Sequence, residues 1–228
     1  MYIQWLGHAS FLIEGDDLRI VTDPYDPDLT HLEPIEEIVD VVLRSSGDDM
    51  AHCFVDTIPK GYKLLTATEY VPPHKDQAKV GKTVFHFMPS KESLIHKEVP
   101  RENAFYRFEL EGIKVAHMGD IGNKLSENQL KFLKGTDILF VPAGGPPTID
   151  LDDLYEVIEY IKPKVVIPMH FRITGPEFFM LPVEDFSSRF SDEQVKKVGA
   201  SEVEFSKENL PESTRIFILE ASLVKNAE

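Results

Sequence analysis

Short apolar runs broken by turn residues dominate the first third of the chain. Tyr2–Leu6 is apolar and stops at Gly7-His8. Ser10–Glu14 and Leu18–Thr22 flank Gly15-Asp16-Asp17, the pattern of a β-hairpin. Pro34–Ile38 is expected to open a short helix, and Val39–Leu43 to form a buried strand. Lys63–Ala67, Thr68–Val71 and Thr83–Met88 read as extended segments between turns. Ala104–Leu110 partly alternates, Glu111-Gly112 turns the chain, and Ile113–His117 returns as a strand. The pattern then changes period. Ser126 and Gln129 form a capping box, which predicts a helix over Glu127–Lys134 closed by Gly135. Leu154, Val157, Ile158 and Ile161 recur at helical spacing, so Leu151–Ile161 is a helix ended by Pro163. Ile138–Val141 and Val165–Pro168 are continuous apolar runs, as in strands buried on both faces. Val183–Phe190 and Asp192–Val198 are expected to be short helices, and Ile216–Ala221 a last strand. Hairpins first and strand–helix alternation later predict an α+β protein, mixed sheets with helices outside.

Composition narrows the class. The 228 residues are 42% apolar and 28% charged, which excludes a disordered or fibrous chain. No linker or low-complexity tract divides it, so 1–228 is read as a single domain with a polar tail from Lys225. Twenty-four basic against 39 acidic residues leave a net charge of −15, which repels phosphate backbones and anionic membranes. Neither nucleic acid nor membrane is therefore expected as a partner, and a small molecule is. Cys53 is the single cysteine, so no internal disulfide forms and a cytoplasmic location is expected. The opening MYIQWLGHAS lacks a signal-peptide pattern, and no apolar run reaches the roughly 18 residues of a membrane span. Oligomeric state has no signature.

Several apolar runs end on a polar residue: Asp23, Arg44-Ser45-Ser46, Ser90, Asp120 and His170. If these ends share one edge they line a cleft, where α/β folds place ligands. Each alone better suits a cap or turn, and it is their repetition that points to a cleft.

Four stretches in order carry a resemblance. They are Gly7-His8-Ala9-Ser10 with Ile20-Val21-Thr22-Asp23-Pro24, Asn103-Ala104 with Ala116–Gly122, Asp137–Gly145, and Lys162–Phe171. Together they resemble the metallo-β-lactamase superfamily, in the branch of the ascorbate-phosphate lactonase and related metal-dependent hydrolases. The resemblance runs from Tyr2 to about Phe171. It implies a four-layer αββα sandwich with a metal cleft at the sheet edges.

The chain departs from that pattern where the family carries His-x-His-x-Asp-His. Here the loop reads Ser45-Ser46-Gly47-Asp48-Asp49-Met50-Ala51-His52-Cys53. Without a gap, Ser46 and Asp48 replace the first two histidines, Met50 the aspartate and Ala51 the last histidine. His52 fits only if the loop carries an extra residue. Ser90 stands where a further histidine is expected. Of the family's dinuclear ligands, Asp120 and His170 remain. Two residues cannot hold two metals, since a catalytic zinc alone takes about three protein ligands.

Two arrangements stay open. One is a rebuilt mononuclear site of Asp48, His52, Asp120 and His170 holding one divalent metal, zinc, manganese or iron. Whether Asp48 or Asp49 faces the cleft is open. The other is a metal-free constellation of His8, Asp23, Asp120 and His170, with His170 as general base. His8 reads equally as a residue beside the metal and as a core histidine, and Asp23 as an orienting carboxylate or a turn former. His117 and Cys53 read as structural. Gly144-Gly145 suits a close approach of substrate or a tight turn, and Arg172 an anionic substrate or a surface ion pair. The resemblance implies a divergent hydrolase of a small ester, lactone or phosphorylated metabolite. The alternative is a member that has lost catalysis and binds a small molecule or a protein.

Overall fold

A computed structural model describes residues 1–73, 75–173 and 180–225. The first sheet draws on β1 (Tyr2–Gly7), β2 (Ser10–Gly15), β3 (Leu18–Thr22), β4 (Val41–Arg44) and β5 (Lys63–Thr66). Two four-residue helices, α1 (Pro27–Thr30) and α2 (Met50–Cys53), lie in its connections. The second sheet begins with β6 (Gln77–Val80), β7 (Thr83–Lys91), β8 (Glu102–Leu110) and β9 (Ile113–His117). It continues through α3 (Glu127–Leu133), β10 (Ile138–Pro142), α4 (Leu151–Ile161) and β11 (Val165–Met169). The C-terminal region adds α5 (Val183–Ser187), β12 (Val195–Lys197), β13 (Glu202–Glu204) and β14 (Arg215–Ile218).

The strand orders are β13-β1-β2-β3-β4-β5 and β12-β14-β11-β10-β9-β8-β7-β6. Period-two patterning assigns the faces of the first sheet. Ile13, Ile20, Val41 and Leu43 enter the main core with Phe85, Phe105, Phe140 and Ile167 of the second sheet. Their neighbours Leu12, Val21 and Val42 pack outward on Tyr25, Ile35, Val39 and Ile58. The first sheet's outer layer is thus thin, built from short helices and irregular chain. On the second sheet, α3 and α4 carry the outer layer. The capping box of α3 is present, Ser126 N–H donating to Gln129 Oε1 at 2.9 Å. Leu154, Val157, Ile158 and Ile161 form the buried stripe of α4.

Three local expectations are corrected. Pro34–Ile38 forms no helix. The flanking Glu33 and Asp40 N–H groups bond to the Leu223 and Arg19 carbonyls, which draws the backbone out as it crosses the sheet. Thr68–Val71 is no strand; Ala67–Glu69 is a 3-10 turn. Asp192–Val198 begins as a turn in which Ser191 N–H bonds Gln194 Oε1. It then becomes β12, because the open edge of β14 offers a ladder that Val195–Lys197 fills. The region beyond Phe171 supplies outer strands of both sheets, β13 beside β1 and β12 with β14 beside β11.

Candidate metal centre

The strand ends do converge. His8 lies in the β1–β2 turn, Asp23 follows β3, Ser45 and Ser46 follow β4, Asp120 follows β9, and His170 follows β11. Parallel neighbours β3–β4 and β9–β10–β11 put those ends at one edge. His170 N–H donates to the His8 carbonyl at 3.0 Å, joining the two sheets there. Trp5 Nε1–H donates to the same carbonyl at 3.0 Å. His8 and His170 hold positive φ angles, 50° and 51°, and Asp23 34°. Non-glycine residues there are strained by about 1–3 kcal/mol each, a cost found where geometry is fixed for function.

Two glycines make the close packing possible. At Gly144 a Cβ would lie 2.3 Å from the His170 carbonyl oxygen. The close approach is therefore between the β10 loop and the His170 backbone. At Gly119, with φ +57°, a Cβ would lie 2.6 Å from both Asn103 Oδ1 and Ser45 Cβ.

His8, His52 and His170 each offer a ligand atom, and the three atoms lie within 4.8 Å of one another. Ring centroids are 4.1 Å apart for His8–His170, 4.9 Å for His8–His52 and 5.2 Å for His52–His170. Asp49, His52 and Asp120 form a second such group, sharing His52. Asp120 Oδ1 is 3.6 Å from His170 Nε2, and its Oδ2 is 4.0 Å from His52 Nε2. His8 Nε2 and His52 Nε2 are buried without a hydrogen-bond partner among the described residues, as is His170 Nδ1. Buried polar atoms are normally paired, and imidazole nitrogens left without partners in such a cluster fit a metal.

Asp23 lies beneath this group. It accepts from Ser45 N–H at 2.8 Å, Ser45 Oγ at 2.6 Å, Tyr106 Oη at 3.0 Å and His52 Nδ1 at 3.1 Å. The last bond fixes the His52 tautomer and leaves its Nε2 facing the centre. Among the described residues Asp23 makes no hydrogen bond to His8 or His170; its imidazole partner is His52. Asp48 is exposed and accepts from Ser46 Oγ at 2.9 Å. Its neighbour Asp49 faces inward and caps α2 through Ala51 N–H at 3.0 Å. The short helix α2 brings His52 to full burial.

Electrostatics sort the histidines. Burial drives His8 well below its ordinary pKa, and positive charge on His170 or His52 would add to this. Burial also lowers His170, to about 4, against the pull of Asp120. Both stand as neutral imidazoles at pH 7, the form that ligates metals. For His52, burial opposes the charge, but the Asp23 bond and the Asp120, Asp23 and Asp49 charges outweigh it, raising His52 to about 9. A metal would displace that proton.

Two further residues, Lys97 and Glu92, had no sequence signal. Lys97, in the β7–β8 loop, donates to Glu92 Oε2 at 2.6 Å and Asp120 Oδ2 at 3.2 Å. Glu92 is buried beside Asp49; burial and that carboxylate raise it to about 7. Ser90 accepts from Asn103 Nδ2 at 2.8 Å. His117 is structural: Nε2–H donates to the Ala9 carbonyl and Nδ1 accepts from Gly119 N–H, both at 3.0 Å. Cys53 is buried, which raises its thiol pKa. Arg172 is exposed. A cavity of about 460 Å³ at the hairpin end, lined by Lys82, His86, Arg107 and Lys134, includes none of the centre's residues.

Residues 2–170 match the family model described as a beta-lactamase superfamily domain. The chain belongs to that family, and its two-sheet architecture is the metallo-β-lactamase fold. A UPF0173 metal-dependent hydrolase of Alkaliphilus metalliredigens is 26% identical over 227 residues, covering 89% of this chain and 99% of that protein. Another, from Carboxydothermus hydrogenoformans, is 28% identical over 192 residues, 75% of this chain and 84% of that one. A solved metallo-β-lactamase superfamily structure from Thermotoga maritima superposes with a TM-score of 0.75 at 29% identity, covering 96% of this chain and 98% of that one. Among the described residues, no helix is long and apolar enough to cross a membrane.

Proposed function

We propose that the chain is a metal-dependent hydrolase with a rebuilt mononuclear centre, His8, His52 and His170 supplying nitrogen and Asp120 oxygen. The observation that carries this reading is the convergence of three buried imidazoles with unpartnered nitrogens beside Asp120. The named hydrolase relatives support it. Three imidazoles and one carboxylate suit zinc, manganese or iron. On this reading His8 joins the ligands, Asp48 does not, and the buried carboxylate of that loop is Asp49, beside the site. A divalent metal held there would acidify a bound water and polarise a carbonyl or phosphoryl oxygen.

The chain's own residues do the rest. Asp23 holds His52 in its ligating tautomer. The β11 turn, seated on Gly144, holds His170. Asp49, whose pKa is about 2 because His52, Glu92, Ala51 N–H and Arg101 outweigh its burial, stays ionised and accepts a hydrogen bond from the attacking water. A small ester, lactone or phosphate ester suits this chemistry. The loop bearing Lys97 also exposes Leu94, Ile95 and Val99, which offers an apolar wall to a substrate's non-reacting part.

Metal analysis of tag-free protein tests the reading. Near one equivalent of zinc, manganese or iron is expected, absent from His8→Ala/His170→Ala. The loaded protein should hydrolyse members of an ester, lactone and phosphate-ester panel, and chelation should abolish turnover. No metal after reconstitution would overturn the proposal.

A further inference from the structure

We propose that the Lys97 ammonium takes the place of a second metal cation. On this reading, which rests on the metal site proposed above, the centre holds one metal and Lys97 supplies the adjoining positive charge. The donors fall into two groups that meet at Asp120 and His52. The three imidazoles form one group, and His52 joins it to a second with Asp49 and Asp120. Beside this second group stand the carboxylate of Glu92, buried like Asp49, and the Lys97 ammonium bonded to it. Asp120 links the two groups, its Oδ1 towards His170 and its Oδ2 bonded to Lys97 at 3.2 Å and 4.0 Å from His52 Nε2. Three buried carboxylates together need a compensating cation. Lys97 alone among the described residues bridges Glu92 and Asp120, while Arg101 reaches only Asp49, at 3.5 Å. Glu92 Oε1 is buried with no hydrogen-bond partner among the described residues.

The loop is constructed to deliver this charge. Ser93 Oγ accepts from Ile95 and His96 N–H groups, making a tight turn. Asn123 ties the start of the loop, its Nδ2 donating to the Glu92 carbonyl and its Oδ1 accepting from Leu94 N–H. At Gly122 a Cβ would lie 2.1 Å from Ser93 N, so the loop sits directly on the Asp120 segment. The Lys97 side chain is 26% exposed, and two of its three N–H bonds are used. The third is free among the described residues to hold an anionic oxygen of substrate, as a second metal would.

Counting metals tests this. Chelator-stripped protein would be reloaded with manganese(II), desalted, and measured by plasma mass spectrometry and electron paramagnetic resonance. Wild type is expected to retain one manganese per chain with a mononuclear six-line spectrum, and Lys97→Arg likewise. Lys97→Ala and Lys97→Gln are expected to retain two, a twofold rise, with a spectrum broadened by metal–metal coupling. Lys97 lies on a surface loop, and thermal melts would verify that both variants fold. Two manganese ions in wild type, or one in both neutral variants, would overturn the role of Lys97 and leave the histidine site standing. No manganese in any form would overturn the metal site itself.

Discussion

His52 is held between two demands at the scale of the residue. Its Nδ1 is bonded to Asp23, and its Nε2 has no partner. In metal-free protein this sets opposing pH dependences. His170 titrates near 4 when folded but near 6.5 when unfolded, so stability falls as pH drops below 6.5. His8 acts in the same direction. His52 titrates near 9 when folded, so its contribution is present below 6.5 and lost as pH rises towards 9. The chelated protein should therefore melt highest near pH 6.5. Bound metal, which deprotonates all three, should remove the alkaline limb. Melting curves at pH 5, 6.5 and 9 decide it, and a monotonic rise without metal would contradict this pairing. His8, Asp23, Asp120 and His170 are legible because each interrupts an apolar run. His52 is displaced by one position from the expected pattern. Choosing Asp49 over Asp48 depends on which one caps α2, a matter of backbone angles.

At the scale of the element, the turns after the strands carry the precision. Gly144 lets the β10 loop lie against the His170 backbone, so Gly144→Ala must shift one or the other. Overpacking of this kind costs about 1–3 kcal/mol. The affinity for zinc should also fall, by roughly 10-fold or more if His170 moves as ligands do when their support is lost. Gly135→Ala is the comparison. It has φ +83° but nothing within 4 Å, so it should cost stability through backbone strain while leaving zinc affinity unchanged. Urea unfolding and zinc titration of the two variants separate these effects. Helices α3 and α4 are readable from sequence because caps and a 3.6-residue stripe are local. Pro34–Ile38 and Asp192–Val198 mislead because distant carbonyls and an open sheet edge claim their backbones.

At the scale of the molecule, the two sheets must hold their edges together for the centre to exist. Phe11 of β2 and Phe140 of β10 meet across the core at 4.3 Å between centroids. Phe140→Ala should cost about 3–5 kcal/mol. A double-mutant cycle with Phe11→Ala should show coupling of about 0.5–1.5 kcal/mol. Additive costs would mean that the sheets pack independently there. Sequence alone determines most strands of the sandwich, the outer helices α3 and α4, the family and the polar strand ends. All of these rest on local periodicity or on residues close in the chain. Tertiary structure alone decides that His8 lies beside His52 and His170, that Asp49 faces inward, and that Lys97 links Glu92 to Asp120. Those contacts join segments far apart in sequence across a sheet interface, where position follows from packing and no local pattern encodes it.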